Sequence, residues 1–254
     1  MKVYAIAINT FKEVIRDKIF YSLVFFAILL LGASVLLSTL TVGEQSKIIE
    51  DLSLSGIEIF GVIIAIFVGI GLVNKELEKK TIYTIISKPI KRWQFLLGKY
   101  LGLALTLLSY VAVMTVCYML VLWLYTSTLP WQTLIAVLLI YVELLVVTAS
   151  AILFSTFSTP TLSASYALAI YVIGNMTGDL RGLAAKAGSA GASALLNFFY
   201  YFLPNLQDFN VKSETVHNIP VTAGFVLSAI TYGLMYVMAI LAVSVLVFQR
   251  RNFK

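Results

Sequence analysis

Apolar residues dominate six stretches of the chain, 19–40, 56–73, 100–124, 131–154, 161–176 and 221–248, and polar residues gather between them. A helix rises about 1.5 Å per residue and a bilayer's hydrocarbon core is about 30 Å thick, so roughly 20 such residues cross it. Each stretch is predicted as a transmembrane helix, and the connections between them are too short for a large soluble domain. Residues 1–254 are thus expected to form one all-helical membrane domain.

Two polar stretches carry a helical pattern of their own. Before the first apolar run, Tyr4, Ala7, Ile8, Phe11, Val14 and Ile15 recur at helical spacing, with Lys2, Asn9, Lys12, Glu13, Arg16 and Asp17 on the other face. That predicts an amphipathic helix lying at the membrane interface. Between the second and third runs, Leu77, Ile82, Ile85 and Ile86 alternate with Glu76, Glu78, Lys79 and Lys80. A second short amphipathic helix is expected there, ended by Pro89, with Trp93 and Lys99 marking re-entry into the interface.

The segment 187–203, AGSAGASALLNFFYYFL, is apolar enough to suggest a seventh span. Its small-residue first half, aromatic second half and terminal Pro204 fit a re-entrant or interfacial element better than a lipid-facing helix. Residues 178–220 are accordingly placed outside, partly dipping into the membrane.

Composition agrees with this reading: 60% of residues are hydrophobic, 12% are charged, and the mean hydropathy is +0.96. Such a chain is a polytopic membrane protein. Of the 18 Lys and Arg, four precede the first run, seven lie in 74–99 and three follow the last run, against four on the opposite side (Lys47, Arg181, Lys186 and Lys212). Because positive residues resist translocation, both termini and the 74–99 loop are predicted to be cytoplasmic, in a bacterial or archaeal plasma membrane. The N-terminus reads as a retained span rather than a cleaved signal, since eighteen residues of mixed charge precede the first run. The single cysteine, Cys117, lies within an apolar run and leaves no intrachain disulfide.

In the basic loop the order Lys75-Glu76-Leu77-Glu78-Lys79-Lys80-Thr81-Ile82, then Ile85-Ile86-Ser87-Lys88-Pro89-Ile90-Lys91-Arg92, then Leu96-Leu97-Gly98-Lys99 resembles the membrane subunits of ABC exporters of the type-2 permease class. Lys80-Thr81 stands where that family typically has Gly-Thr, and Ile85-Ile86-Ser87 where it has leucines before the serine. The amphipathic N-terminal helix, the six-span count, the short Ser155 to Pro160 connection and the outer segment before the last span extend the resemblance over the whole chain. It implies a homodimer, or a pair with a close relative, docked on separate cytoplasmic ATPase subunits. The N-terminal helix and the loop helix would touch those ATPases, with Glu76, Thr81, Ile82, Ile85, Ile86, Pro89 and Arg92 as docking residues. ATP and Mg would bind the partner, since these residues contain no G-x-x-x-x-G-K-[ST] loop and indicate no metal or organic cofactor of their own. Nucleic acid is not an expected partner, and lipids, glycan carriers, peptides and drugs are the cargoes the resemblance allows.

Ionisable residues within apolar runs are candidates for function, because a charge at membrane depth costs several kcal/mol unless paired or hydrated. Glu143 is the deepest. Its neighbours one turn away, Leu139 and Val147, are apolar, so its partner must be another helix, a water-filled path or its own proton. Glu58, predicted near the outer end of the second span, is expected to be more easily solvated. Both are assigned to a substrate path or a structural role. Gly98-x-x-x-Gly102 and the run Thr148 to Ala151 offer small residues for close helix approach. Asn175-Met176-Thr177 matches a glycosylation acceptor and is read as a chance match. An intramembrane enzyme is disfavoured, because the one histidine, His217, lies in the outer segment and no acidic pair shares a span. A secondary transporter coupled through Glu143, although no internal repeat is evident, and an assembly scaffold are the competing readings.

Overall fold

The computed structural model describes residues 2–39, 44–72, 91–126, 131–186 and 189–250, and every regular element among them is helical. The helices are α1 (Lys2–Ile15), α2 (Lys18–Ser38), α3 (Gln45–Leu72), α4 (Arg92–Thr126), α5 (Thr133–Ser155), α6 (Pro160–Asn175), α7 (Thr177–Lys186), α8 (Ala190–Phe202), α9 (Lys212–Val216) and α10 (Ala223–Arg250). Local chemistry sets several of their ends. Asp17 caps α2 by accepting from the Ile19 amide at 2.9 Å, Pro160 opens α6 where its missing N–H is no loss, and Ser189 caps α8.

Five helices, α2, α3, α4, α5 and α10, are long and apolar enough to cross a membrane. The predicted fifth span departs from that pattern. Its helix, α6, has 16 residues, about 24 Å of rise, which falls short of the hydrocarbon thickness. It ends beside the middle of α5, where Asn175 bonds Glu143, the eleventh of that helix's 23 residues. From there the chain turns into α7 and α8, which pack on each other, and returns through 203–211 to α9. The re-entrant segment expected before the last span is therefore a helix pair followed by irregular backbone seated on the bundle.

Enclosure ranks the helices. α5 is the core, its buried face running from Ala136 to Ile152, and Thr148, Ala149, Ser150 and Ala151 are all buried, as their small size permits. α3 is wedged between α2 and α5: a Cβ on Gly56 would lie 2.8 Å from Leu30, and one on Gly61 would lie 2.6 Å from Leu144. Just beyond Gly61, α3 widens into a π turn at Ile64–Val68, still packed on α5. α2 and α10 are peripheral and expose Phe25, Phe26 and Leu29, and Leu227, Met235 and Met238. Such faces are stable in hydrocarbon, not in water, and the protein is a multi-pass membrane protein.

The basic end of the bundle is braced twice. α1 lies along the first turns of α4, where Gly98 and Gly102 admit its backbone: a Cβ on Gly98 would meet the Ile6 Cβ at 2.6 Å, and one on Gly102 the Ala7 carbonyl at 2.7 Å. The buried stripe of α1 is Ala7, Thr10 and Val14, while Tyr4 remains 70% exposed. The predicted amphipathic face is thus divided: Ala7 and Val14 are buried, Ile8, Phe11 and Ile15 are half-buried, and Tyr4 is left exposed. Lys99 is not at the interface as expected; it is buried under α1, with its Nζ 3.5 Å from Glu13 Oε2. At the second brace, Arg92 donates from Nη1 to the carbonyls of Phe248 (2.9 Å) and Gln249 (3.1 Å), and Phe95 stacks on Phe248 at 6.2 Å. A cation placed against the C-terminal carbonyls of a helix is favoured by the helix dipole.

Candidate functional site

The middle of the bundle holds a polar cluster built from four helices. Glu58 is the fourteenth of 28 residues in α3, because that helix begins about three turns earlier than the apolar run suggests. Instead of sitting near a solvated end it is 4% exposed, which corrects the sequence expectation. Tyr171 of α6 donates its hydroxyl to Glu58 Oε1 at 2.7 Å, and Lys212 of α9 donates its ammonium to Glu58 Oε2. Burying a carboxylate at this depth is tolerable only with such a partner.

Glu143 is completely buried on α5. Of the three partners the sequence allows, the structure supplies another helix: Asn175 at the end of α6 donates Nδ2 to Glu143 Oε1 at 2.9 Å, and the same amide reaches the Tyr171 carbonyl at 3.2 Å. Oε2 of Glu143 has no hydrogen-bond partner among the described residues. Glu58 and Lys212 both lie within electrostatic reach of Glu143. The cluster therefore sets two acidic side chains from continuous helices near one ammonium from the short helix α9, which bonds Glu58.

That segment is held by further contacts of the same kind. Thr177 donates its hydroxyl to Asn205 Oδ1 at 2.7 Å, and the Asn205 amide donates to the Tyr232 hydroxyl of α10 at 2.9 Å. The Leu206 amide closes on the Gly174 carbonyl at 3.0 Å, where a Cβ on Gly174 would strike Leu206 at 2.7 Å. Phe209, fully buried, rests in a notch opposite Gly233, whose Cβ would lie 3.0 Å from that ring and 2.5 Å from Val142. Non-helical backbone at this depth survives because protein surrounds it and its polar groups are paired.

Other candidates fare differently. Glu76, Thr81, Ile82, Ile85, Ile86 and Pro89 lie outside the described residues. Arg92 is described, and its guanidinium binds the end of α10. Lys212, Tyr171 and Asn175 were missed: Lys212 counted only as an outer charge, and Asn175 only as the first residue of a glycosylation triplet. The one available signal was that Lys212 is one of just four cations predicted on that side. An apolar groove of about 470 Å³ opens at the basic end between Phe67, Ile70 and Gly71 of α3 and Pro160, Ala164 and Leu168 of α6. No group of three or more metal-ligating side chains occurs among the described residues.

The arrangement describes a helical bundle with a polar, ionisable centre, one basic end braced by α1 and Arg92, and an irregular segment seated over the opposite half. A family model described as ABC-2 family transporter protein matches residues 4–253. No curated protein matches the chain.

Proposed function

The chain belongs to the ABC-2 family of transporter proteins, and from that premise we propose that it is the permease subunit of an ATP-driven exporter whose energy comes from a separate cytoplasmic ATPase. The observation that carries this reading is the family match over 250 of 254 residues, which reaches every described helix of the bundle. In this reading six crossings place both termini and the 74–99 loop in the cytoplasm of a bacterial or archaeal plasma membrane. The fifth crossing is α6 completed by the irregular segment 203–218, and two copies of the chain pair in the membrane.

Transmission needs a stiff path from the ATPase to the spans. The braces at the basic end supply one. The loop between α3 and α4 leads directly into Arg92, which is tied to α10, and into the Gly98 and Gly102 seat of α1. A push on that loop would reach three helices at once. Ile82, Ile85 and Ile86 would fill a groove of the ATPase, with Glu76, Lys79, Lys88 and Arg92 setting orientation at its rim.

The test is co-purification from native membranes in mild detergent, with partners identified by mass spectrometry. A protein carrying a phosphate-binding loop is expected in about one-to-one ratio. Ile82→Asp and Ile86→Asp should each remove it while leaving membrane insertion intact. Retention of the ATPase by both variants would refute the docking assignment, and isolation of the chain alone would refute the exporter reading.

A further inference from the structure

We propose that Lys212 is a tethered stand-in for a cationic group on the transported molecule, and that Glu58 and Glu143 form the acidic site which that group occupies when Lys212 leaves. The inference rests on the exporter reading and adds to it a substrate class: molecules bearing an ammonium or comparable organic cation.

Three observations carry it. The two carboxylates belong to α3 and α5, the most enclosed long helices, whereas the ammonium belongs to α9, a five-residue helix between the irregular stretches 203–211 and 217–222. The acidic side is thus built into the frame and the basic side is carried on a segment that can be lifted. Next, only one of the two acids has the ammonium: Lys212 bonds Glu58, whereas Glu143 receives only the neutral amide of Asn175, and Tyr171 donates to Glu58. Finally, Glu143 is fully buried yet leaves Oε2 without a partner among the described residues. A buried acceptor left unsatisfied is costly and points to a donor that the described residues do not provide.

The segment is attached by polar contacts that can be exchanged and by apolar side chains that seat it in the core. Lys212 on Glu58, Asn205 on Tyr232 and Thr177 on Asn205 are single polar bonds, while Leu206, Phe209, Val211 and Val216 are its buried apolar anchors. Lifting the segment without replacing its cation would strand Glu58 beside Glu143 in a low-dielectric interior, which is strongly unfavourable. A cargo cation removes that obstacle. The empty carrier therefore stays closed, and a cationic cargo shifts the equilibrium toward the lifted state by binding only there. Neutral or anionic molecules of the same shape gain nothing from the two carboxylates.

The test uses the full chain purified in detergent without an ATPase, and hexylammonium as the probe with hexanol as its uncharged control. Hydrogen exchange of backbone amides in 204–218 should rise several-fold with hexylammonium and stay unchanged with hexanol. In Lys212→Met, which keeps the length and removes the charge, affinity for hexylammonium from thermal shift should increase about tenfold over the native chain. Adding Glu58→Gln and Glu143→Gln should abolish that gain. Exchange in 204–218 that ignores hexylammonium, or responds equally to hexanol, overturns the proposal, and so does binding that survives loss of both carboxylates. The exchange measurement on the native chain decides even if Lys212→Met fails to fold. Since no ATPase is present, a responsive site with no ATPase partner in native membranes would sink the exporter reading alone.

Discussion

Replacing Gly102 by alanine adds one methyl group and should detach the N-terminal helix. The new Cβ would lie 2.5 Å from Thr10 Cβ and 2.7 Å from the Ala7 carbonyl oxygen. The second contact is with backbone and cannot be relieved by a rotamer change, so α1 must move outward by several tenths of an ångström. Gaps of that size forfeit a quarter to a half of each dispersion contact along the seam. Overpacking of this kind costs up to about 3 kcal/mol, and alanine's better helix propensity returns about 1 kcal/mol, leaving a net loss of about 2 kcal/mol. The detached population then rises about thirtyfold. Trypsin cleavage after Lys12 and Arg16 in detergent reads that population when opening is fast relative to cleavage. Gly32→Ala is the control, because a Cβ there meets nothing within 4 Å and the residue lies on α2. It should leave the cleavage rate unchanged. A Gly102→Ala protein cleaved at the native rate would show that α1 does not depend on the glycine seat, and the close-approach argument would fail.

Arg92→Ala should loosen the end of α10, since the Phe248 and Gln249 carbonyls lose a charged donor; amide exchange in 246–250 should rise about tenfold while the middle of α10 is unchanged, and equal protection in the two proteins would refute the brace. Tyr171→Phe removes the 2.7 Å bond to Glu58 but keeps the ring and the backbone carbonyl that Asn175 uses. A loss of about 1.5–3 kcal/mol is expected, seen as a lowered melting temperature in detergent, and an unshifted melt would mean that Glu58 does not need that donor.

Which features could be read from the sequence follows from the range over which each signal acts. Apolar runs report burial along one helix, so α2, α5 and α10 emerge where the runs lie, whereas α4 begins at Arg92, before its run at 100–124. The small-residue seam at Gly98 and Gly102 is likewise local, because both glycines fall on one face one turn apart. The start of α3 was misjudged, since Gln45, Lys47, Glu50 and Asp51 look like loop by composition yet occupy its first turns. That error moved Glu58 from mid-helix to an end and made it seem solvated. The length of α6 was legible, sixteen residues in the run and in the helix, whereas the packing of 204–207 across Gly174 beyond its end was not.

The polar centre was legible on one side only, and the reason bears on its role. Glu143 stands out in any reading because a carboxylate within 24 mostly apolar residues has no local justification. Its partner Asn175 lies 32 residues away and Lys212 lies 154 residues from Glu58, so no periodicity connects them. Conspicuous acids on continuous helices and inconspicuous partners on an irregular segment are what a site with an exchangeable cation requires. The acids must persist in every state of the bundle, whereas their partner needs only to fit one of them. A lysine on a neighbouring continuous helix would have bound Glu58 permanently, and Glu58 could then never share a cargo cation with the orphaned oxygen of Glu143. The placement of Lys212 on α9 ties the charge of the centre to the position of the segment, so that the outer half of the bundle can open only when another cation takes its place.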